Sequence, residues 1–153
     1  MATDTMEQSI QTLNVVKETE IAAPIDIAFE ALLAELGPGS ELPDGKPFPM
    51  KLEPWPGGRL FRDLGNNAGH FWGHVQVIKP PTLLEICGPL FMSYPAVSHL
   101  QYRLTAEGEI TRLKLTHRAF GEIPREHAEG VHKGWDHALK RIRDIAAKLK
   151  GKR

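Results

Sequence analysis

The stretch that most constrains this chain is its C-terminal end. From Pro124 to about Leu149, Ala128, Val131, Trp135, Ala138, Ile142, Ile145 and Leu149 recur at spacings of three and four. That is the period of a helix with one apolar stripe. At roughly 1.5 Å per residue such a helix is about 39 Å long, enough to cross a whole sheet. A stripe of that length needs a broad apolar surface to lie on, and the residues before it must supply that surface.

They do so as strands. Residues 12–21, TLNVVKETEI, alternate Leu13, Val15, Thr19 and Ile21 against Asn14, Glu18 and Glu20, a strand with one wet face. Pro24 can open a helix in which Ile27, Ala28, Phe29, Leu32 and Leu36 are suitably spaced, and Gly37-Pro38-Gly39 ends it. Short strands cut by turns follow: FPMKLEPW (48–55), RLFRDL after Pro56-Gly57-Gly58, HFWGHVQVIK up to Pro80-Pro81, and TLLEIC. SHLQYRLT and EITRLKLTHRAF then flank the tight turn Ala106-Glu107-Gly108. Strand, helix, about six antiparallel strands and one long helix make an α+β architecture. The expected division is an N-terminal arm (1–11), one domain (12–149) and a basic tail (150–153).

His70 and His74 stand four apart, which on a helix would begin a zinc site. In a strand-only region they are about 13 Å apart at ~3.3 Å per residue, too far to share one ion. Alternation places Phe71, Val75 and Val77 on the apolar face and the histidines outward. Gly73 between them signals a bulge or sharp bend. No metal and no cofactor is expected.

Lys plus Arg and Asp plus Glu number 19 each, so no global field calls for nucleic acid. The seven Lys or Arg among the last fourteen residues suit a solvated helix C-terminus. The single Cys87 excludes an internal disulfide and reads as a small buried residue. The first ten residues lack the basic and apolar regions of a secretory signal, and no apolar run nears the ~20 residues of a membrane helix. The expected location is cytoplasmic.

The order of elements resembles a known family. IAAPIDIAFEALL after the first strand, WPGGRLF, WGHVQVIKPPTLLEI and, in the final helix, GWDHALKRI occur in sequence from about residue 12 to 149. Together they are similar to the helix-grip superfamily of START lipid-transfer domains and the birch-pollen allergen, also called SRPBCC. Within it they are most similar to bacterial proteins akin to the C-terminal domain of the activator of the heat-shock-protein-90 ATPase. The resemblance implies a sheet of about seven strands curled around the C-terminal helix, with a cavity between them. The segment GPGSELPDGKPFPM (37–50) is longer than a plain turn after the first helix, so the resemblance does not fix the shape of the cavity entrance.

Fold does not give function, so candidate residues are argued separately. On the late strands Leu100, Tyr102 and Leu104 share a face, as do Leu113, Leu115 and His117. Tyr102 and His117 could be the few polar handles of an apolar pocket, or a core aromatic and a core-edge histidine. Trp135 either packs the helix on the sheet or also walls the cavity, with Gly134 permitting close approach. His127, His132 and His137 lie off that stripe and are expected to be exposed. Phe91, Met92 and Tyr94, in the proline-broken PLFMSYPAV (89–97), form a lid, a rim or a plain loop. Glu85 and Asp63 are the inner-face carboxylates considered, though both suit a wet face.

The expected ligand site is Tyr102, His117, Trp135, Phe71, Leu113, Leu115 and Met92, holding a small apolar or amphipathic molecule. Two alternatives stand beside it. One is a cyclase or hydrolase with His117 and Tyr102 as acid and base, as the superfamily allows. The other is the chaperone contact that the activator resemblance implies, made through an exposed apolar surface. The oligomeric state is open, a dimer included.

Overall fold

The computed structural model describes residues 9–91 and 93–152. The chain runs β1 (Gln11–Ile21), α1 (Ile25–Glu35), β2 (Lys51–Leu52), β3 (Arg59–Gly65), β4 (Ala68–Lys79), β5 (Leu83–Gly88), β6 (Ala96–Glu107), β7 (Ile110–Gly121) and α2 (Arg125–Gly151). One seven-stranded antiparallel sheet has the order β1-β7-β6-β5-β4-β3-β2. Only the step from β1 to β7 is a crossover. It brings the first strand beside the last, so both helices attach at the same side of the sheet. This is the curved, open helix-grip sheet that the sequence order predicts.

The strand expected at 48–55 shrinks to Lys51–Leu52. Pro47, Pro49 and Pro54 supply no backbone N–H, so this stretch cannot ladder. The long strands β6 and β7 pair without a break from Ala96↔Gly121 to Glu107↔Ile110. Their alternation holds, and Leu100, Tyr102, Leu104, Leu113, Leu115 and His117 are all buried on the concave face.

Strand β4 departs from simple alternation. Leu60 pairs with Gly73 and Phe61 with Phe71, which leaves Trp72 as an extra residue. Val75 pairs with Ile86 and Val77 with Glu85, which leaves Gln76 as a second. Each bulge inverts the phase of the residues beyond it. Trp72 is therefore 6% exposed and Val75 is buried, while Ile78 packs against the core. Phe71, expected inside, is 45% exposed on the outer face, its ring against His74. The sharp bend expected at Gly73 is present. A Cβ there would lie 2.7 Å from the Cys87 carbonyl oxygen, and Gly88 crosses it closely on the neighbouring strand.

Helix α2 packs against α1 and β1. Trp135, Ala138, Leu139, Ile142 and Ala146 form its buried stripe. Polar ties fix its position: Lys17 to Asp136 at 3.0 Å, Arg143 Nη1 to Thr19 Oγ1 at 2.8 Å, and Arg141 to Glu41 at 3.0 Å. Part of the basic C-terminal run thus holds the helix on the fold. No helix among the described residues is long and apolar enough to cross a membrane.

Candidate ligand cavity

A cavity of about 520 Å³ opens beside the first half of α2. Its walls come from four places: α2 between Glu126 and Ala138, the segment 35–50, Leu90 with Phe91 after β5, and His117 on β7. The wall is mostly apolar. The volume lies within the roughly 300–1,000 Å³ of pockets for small organic molecules.

The segment 37–50 is an ordered wall. Leu42 and Lys46 close a turn at 2.9 Å, Phe48 N–H donates to Ser40 O at 2.9 Å, and Met50 N–H donates to Gly37 O at 3.1 Å. These bonds point Leu42, Phe48 and Met50 at the cavity. Phe91 joins them on the other side, edge-on to Trp72 at 5.0 Å and to Trp135 at 6.3 Å. Tyr94 sits at the rim, edge-on to His127 at 5.4 Å. Leu90, buried in the wall, carries φ = 52°, a left-handed conformation costly for a leucine. Met92 lies outside the described residues.

The helix opens the cavity by what it lacks. A Cβ at Gly130 or at Gly134 would meet nothing within 4 Å, and both positions line the cavity. The close approach expected at Gly134 is not its role, because the glycine faces open space. Trp135 does wall the cavity and is only 6% exposed.

Trp135 reaches the sheet through a hydrogen-bond chain. Its Nε1–H donates to His117 Nδ1 at 3.0 Å, and His117 Nε2 lies 3.0 Å from Ser98 Oγ. A nitrogen that accepts from the indole carries no proton. His117 is therefore neutral with its proton on Nε2, which donates to Ser98. Burial first, and then repulsion from His127, pull the His117 pKa down to about 4. Both ring nitrogens are committed. In this tautomer His117 cannot take a proton from Ser98, nor offer a substrate a free lone pair.

Tyr102 lies behind Trp135, fully buried, with ring centroids 6.5 Å apart. Its hydroxyl has no hydrogen-bond partner among the described residues. Burial, and then the Glu35 carboxyl, raise its pKa well above the usual phenol value. Tyr102, Leu113 and Leu115 sit in the core behind the cavity wall, whereas His117 and Trp135 form part of that wall.

The acidic group of the site is Glu35, at the end of α1. It lines the cavity, is 7% exposed, and makes no hydrogen bond among the described residues. Burial raises its pKa to about 7, against the opposing pull of Arg141. Periodicity could have found it. Ala28, Ala31 and Leu32 precede it by seven, four and three on the buried face of α1. The carboxylates considered from the sequence lie elsewhere. Glu85 bonds Gln101 at 2.8 Å and His99 at 3.3 Å on the outer face, and Asp63 meets Lys51 at 3.7 Å.

Two histidines expected to be exposed are half-buried at the cavity mouth: His127, and His137, whose Nε2–H donates to Glu41 O at 2.9 Å. His132 is exposed as expected. His70 and His74 are exposed on β4, with His74 Nδ1 bonded to Gly57 O at 3.0 Å.

A sheet wrapped on one long helix, with a pocket under the helix's first turns, agrees with the sequence comparison. The family model described as "Activator of Hsp90 ATPase homolog 1-like protein" matches residues 45–147. The chain belongs to this family. No curated protein matches the sequence. Solved structures share the fold of the chain. A protein from Rhizobium leguminosarum superposes with a TM-score of 0.72 at 17% identity, over 94% of this chain and 99% of that one. Ara h 8.0201 superposes with a TM-score of 0.63 at 13% identity, over 90% and 99%. DynU16, from the dynemicin biosynthetic locus, superposes with a TM-score of 0.58 at 18% identity, over 87% of this chain and 46% of that one. At these identities the likeness shows the fold.

Proposed function

We propose that this protein binds a small, mostly apolar molecule in the cavity beneath α2, and that binding needs no catalytic step. One observation carries the reading: a mostly apolar cavity of about 520 Å³ has a buried carboxyl without a hydrogen bond among the described residues, Glu35, within its wall. Pockets for small molecules combine apolar walls with few, placed polar groups. The ligand set expected from the sequence contracts to His117 and Trp135 in the wall, with Tyr102, Leu113 and Leu115 supporting it. Glu35, Phe48 and Phe91 join the set.

Gly134→Leu tests the proposal. The new side chain enters open space in the cavity. Replacing a helix glycine should itself stabilise the protein by about 1 kcal/mol. The expected result is a variant with a higher melting temperature that no longer binds apolar probes. It should also lack any small molecule seen with the wild type in native mass spectrometry. Equal probe binding by both proteins would refute the cavity as the site.

A second reading is favoured by Glu35 alone. A carboxyl of pKa about 7 in an apolar pocket is poised for acid–base work at neutral pH. In an enzyme of this kind Glu35, not the committed His117, exchanges the proton. Glu35→Gln would then abolish turnover while leaving the cavity's volume intact. A chaperone contact, the subject of the family's name, would use the outer surface and survive Gly134→Leu.

A further inference from the structure

Given cavity binding as proposed above, the polar groups of the cavity also define the chemistry of its ligand. His117 has both nitrogens engaged, and the Trp135 indole N–H is spent on His117. His137 Nε2 is bonded to the Glu41 backbone. The Glu41 carboxylate is matched by Arg141 at 3.0 Å. The carboxyls in the wall without a partner among the described residues are the buried Glu35 and, at the mouth, Glu126; the other polar side chains there are the neutral Ser40 hydroxyl and His127, whose ring rests edge-on to Tyr94 at 5.4 Å.

No lysine or arginine among the described residues lines this cavity. The two nearby guanidiniums stand behind the wall. Arg62 lies over the Phe48 ring at 3.9 Å. Arg141 is held through Nη2 by Glu41 at 3.0 Å and by Gly39 O at 2.9 Å; its Nε is buried without a partner among the described residues, and its charge pulls on Glu35 without a hydrogen bond between them. A carboxylate-headed amphiphile would therefore meet Glu35 with no lysine or arginine in the lining to receive it, and like charges in an apolar site repel strongly.

We infer that the cavity selects amphipathic amines, with the apolar body between Phe48, Phe91 and Trp135 and the protonated amine against the Glu35 carboxylate. Such a head supplies the N–H donors that Glu35 lacks and places a positive charge inside the cavity, in addition to the pull of Arg141 from the wall. The mouth carries Glu126 beside His127 and His137, and no lysine or arginine among the described residues lines it.

The test compares three probes of one tail length: decylamine, decanol and decanoate, each below its micelle concentration, by calorimetry at pH 8. Wild type, Glu35→Gln and Gly134→Leu are measured side by side. The expected order for wild type is decylamine tightest and decanoate weakest. Glu35→Gln should lower decylamine affinity by at least about 30-fold, the loss expected when one partner of a desolvated charge pair is removed. The same change should leave decanol little affected, and Gly134→Leu should weaken all three. Decanoate binding as tightly as decylamine would overturn the head-group assignment. So would an unchanged decylamine affinity in Glu35→Gln. In either case binding that is still lost in Gly134→Leu leaves the cavity proposal standing. If none of the three binds wild type, the cavity proposal itself fails.

Discussion

Replacing Glu35 by glutamine should stabilise the protein by an amount that depends on pH in a specific way. Burial raises the carboxyl from the usual 4.5 to about 7. Between those values the folded state holds a proton that the unfolded chain has released. Stability from this group is then fully present below pH 4.5 and falls as pH rises, with the loss complete above about 7. At about 1.4 kcal/mol per pKa unit, the loss amounts to about 3 kcal/mol. His117 has the opposite sign. Its pKa falls from 6.5 to about 4, so its stabilising contribution is present above pH 6.5 and is lost as pH falls toward 4. The two slopes oppose each other from about pH 4.5 to 6.5, and in the wild type they nearly cancel. Surface carboxylates held low by partners, such as Glu53 by Arg59 at about 2, titrate below this window. In Glu35→Gln the histidine slope stands alone. Urea denaturation followed by tryptophan fluorescence at pH 4, 5, 6, 7 and 8 measures this. The variant should match the wild type near pH 4 and exceed it by about 3 kcal/mol at pH 8. A difference between the two proteins that does not change with pH would refute the buried, ionisable Glu35.

Two further substitutions probe the frame of the site. Trp135→Phe keeps most of the ring but removes the donor to His117 Nδ1, which should destabilise the fold by about 1–3 kcal/mol. It should also raise the His117 pKa toward the ordinary imidazole value, read from histidine proton resonances, and an unmoved titration would show that the indole does not set the tautomer. Gly73→Ala places a Cβ 2.7 Å from the Cys87 carbonyl oxygen and 2.9 Å from the Ile86 side chain. It should lower stability by about 1–3 kcal/mol in urea denaturation, whereas Gly134→Ala in open space should raise it.

Much of the fold was legible because two simple periods govern it. Strands β6 and β7 pair without interruption, so alternation correctly assigned Leu100, Tyr102, Leu113, Leu115 and His117 to the concave face. The stripe of α2 was read with equal success, since its three-and-four spacing continues to Leu149. Strand β4 failed the same reasoning for a physical reason. Its bulges at Trp72 and Gln76 shift the phase, and neither residue type announces a bulge. Gly73 marked the bend but not which neighbour would turn inward. The bond from Trp135 to His117 joins a helix and a strand through the way they pack, which no local spacing encodes. The wall formed by residues 37–50 has turn bonds rather than a period, so its length was visible and its role was not. Glu35 was legible and missed: it follows Leu32, Ala31 and Ala28 by three, four and seven on the buried face of α1, but its charge kept it out of a stripe picked by apolar residues alone.

Features that cost stability converge on this cavity. The Glu35 carboxyl is buried without a hydrogen bond. The Tyr102 hydroxyl, in electrostatic reach of Glu35, is buried and unpartnered among the described residues. Leu90 is left-handed in the wall. Gly130 and Gly134 stand one turn apart on the face of α2 that opens the cavity, each about 1 kcal/mol worse for the helix than alanine. Beyond Trp135 the same helix is packed by Ala138, Leu139, Ile142 and Ala146, and the unpartnered atom there, Arg141 Nε, belongs to a residue that pulls on Glu35. A chain selected for stability alone would fill this space with apolar side chains. Strain, unpaired polar groups and helix glycines gathered in one place are what a binding site costs a fold. It follows that Glu35→Gln at pH 8 and Gly134→Leu at any pH should each stabilise the ligand-free protein, by separate mechanisms and at positions that serve binding. Greater stability coupled to weaker binding separates a functional cavity from a packing fault, since filling a packing fault raises stability and leaves binding unchanged.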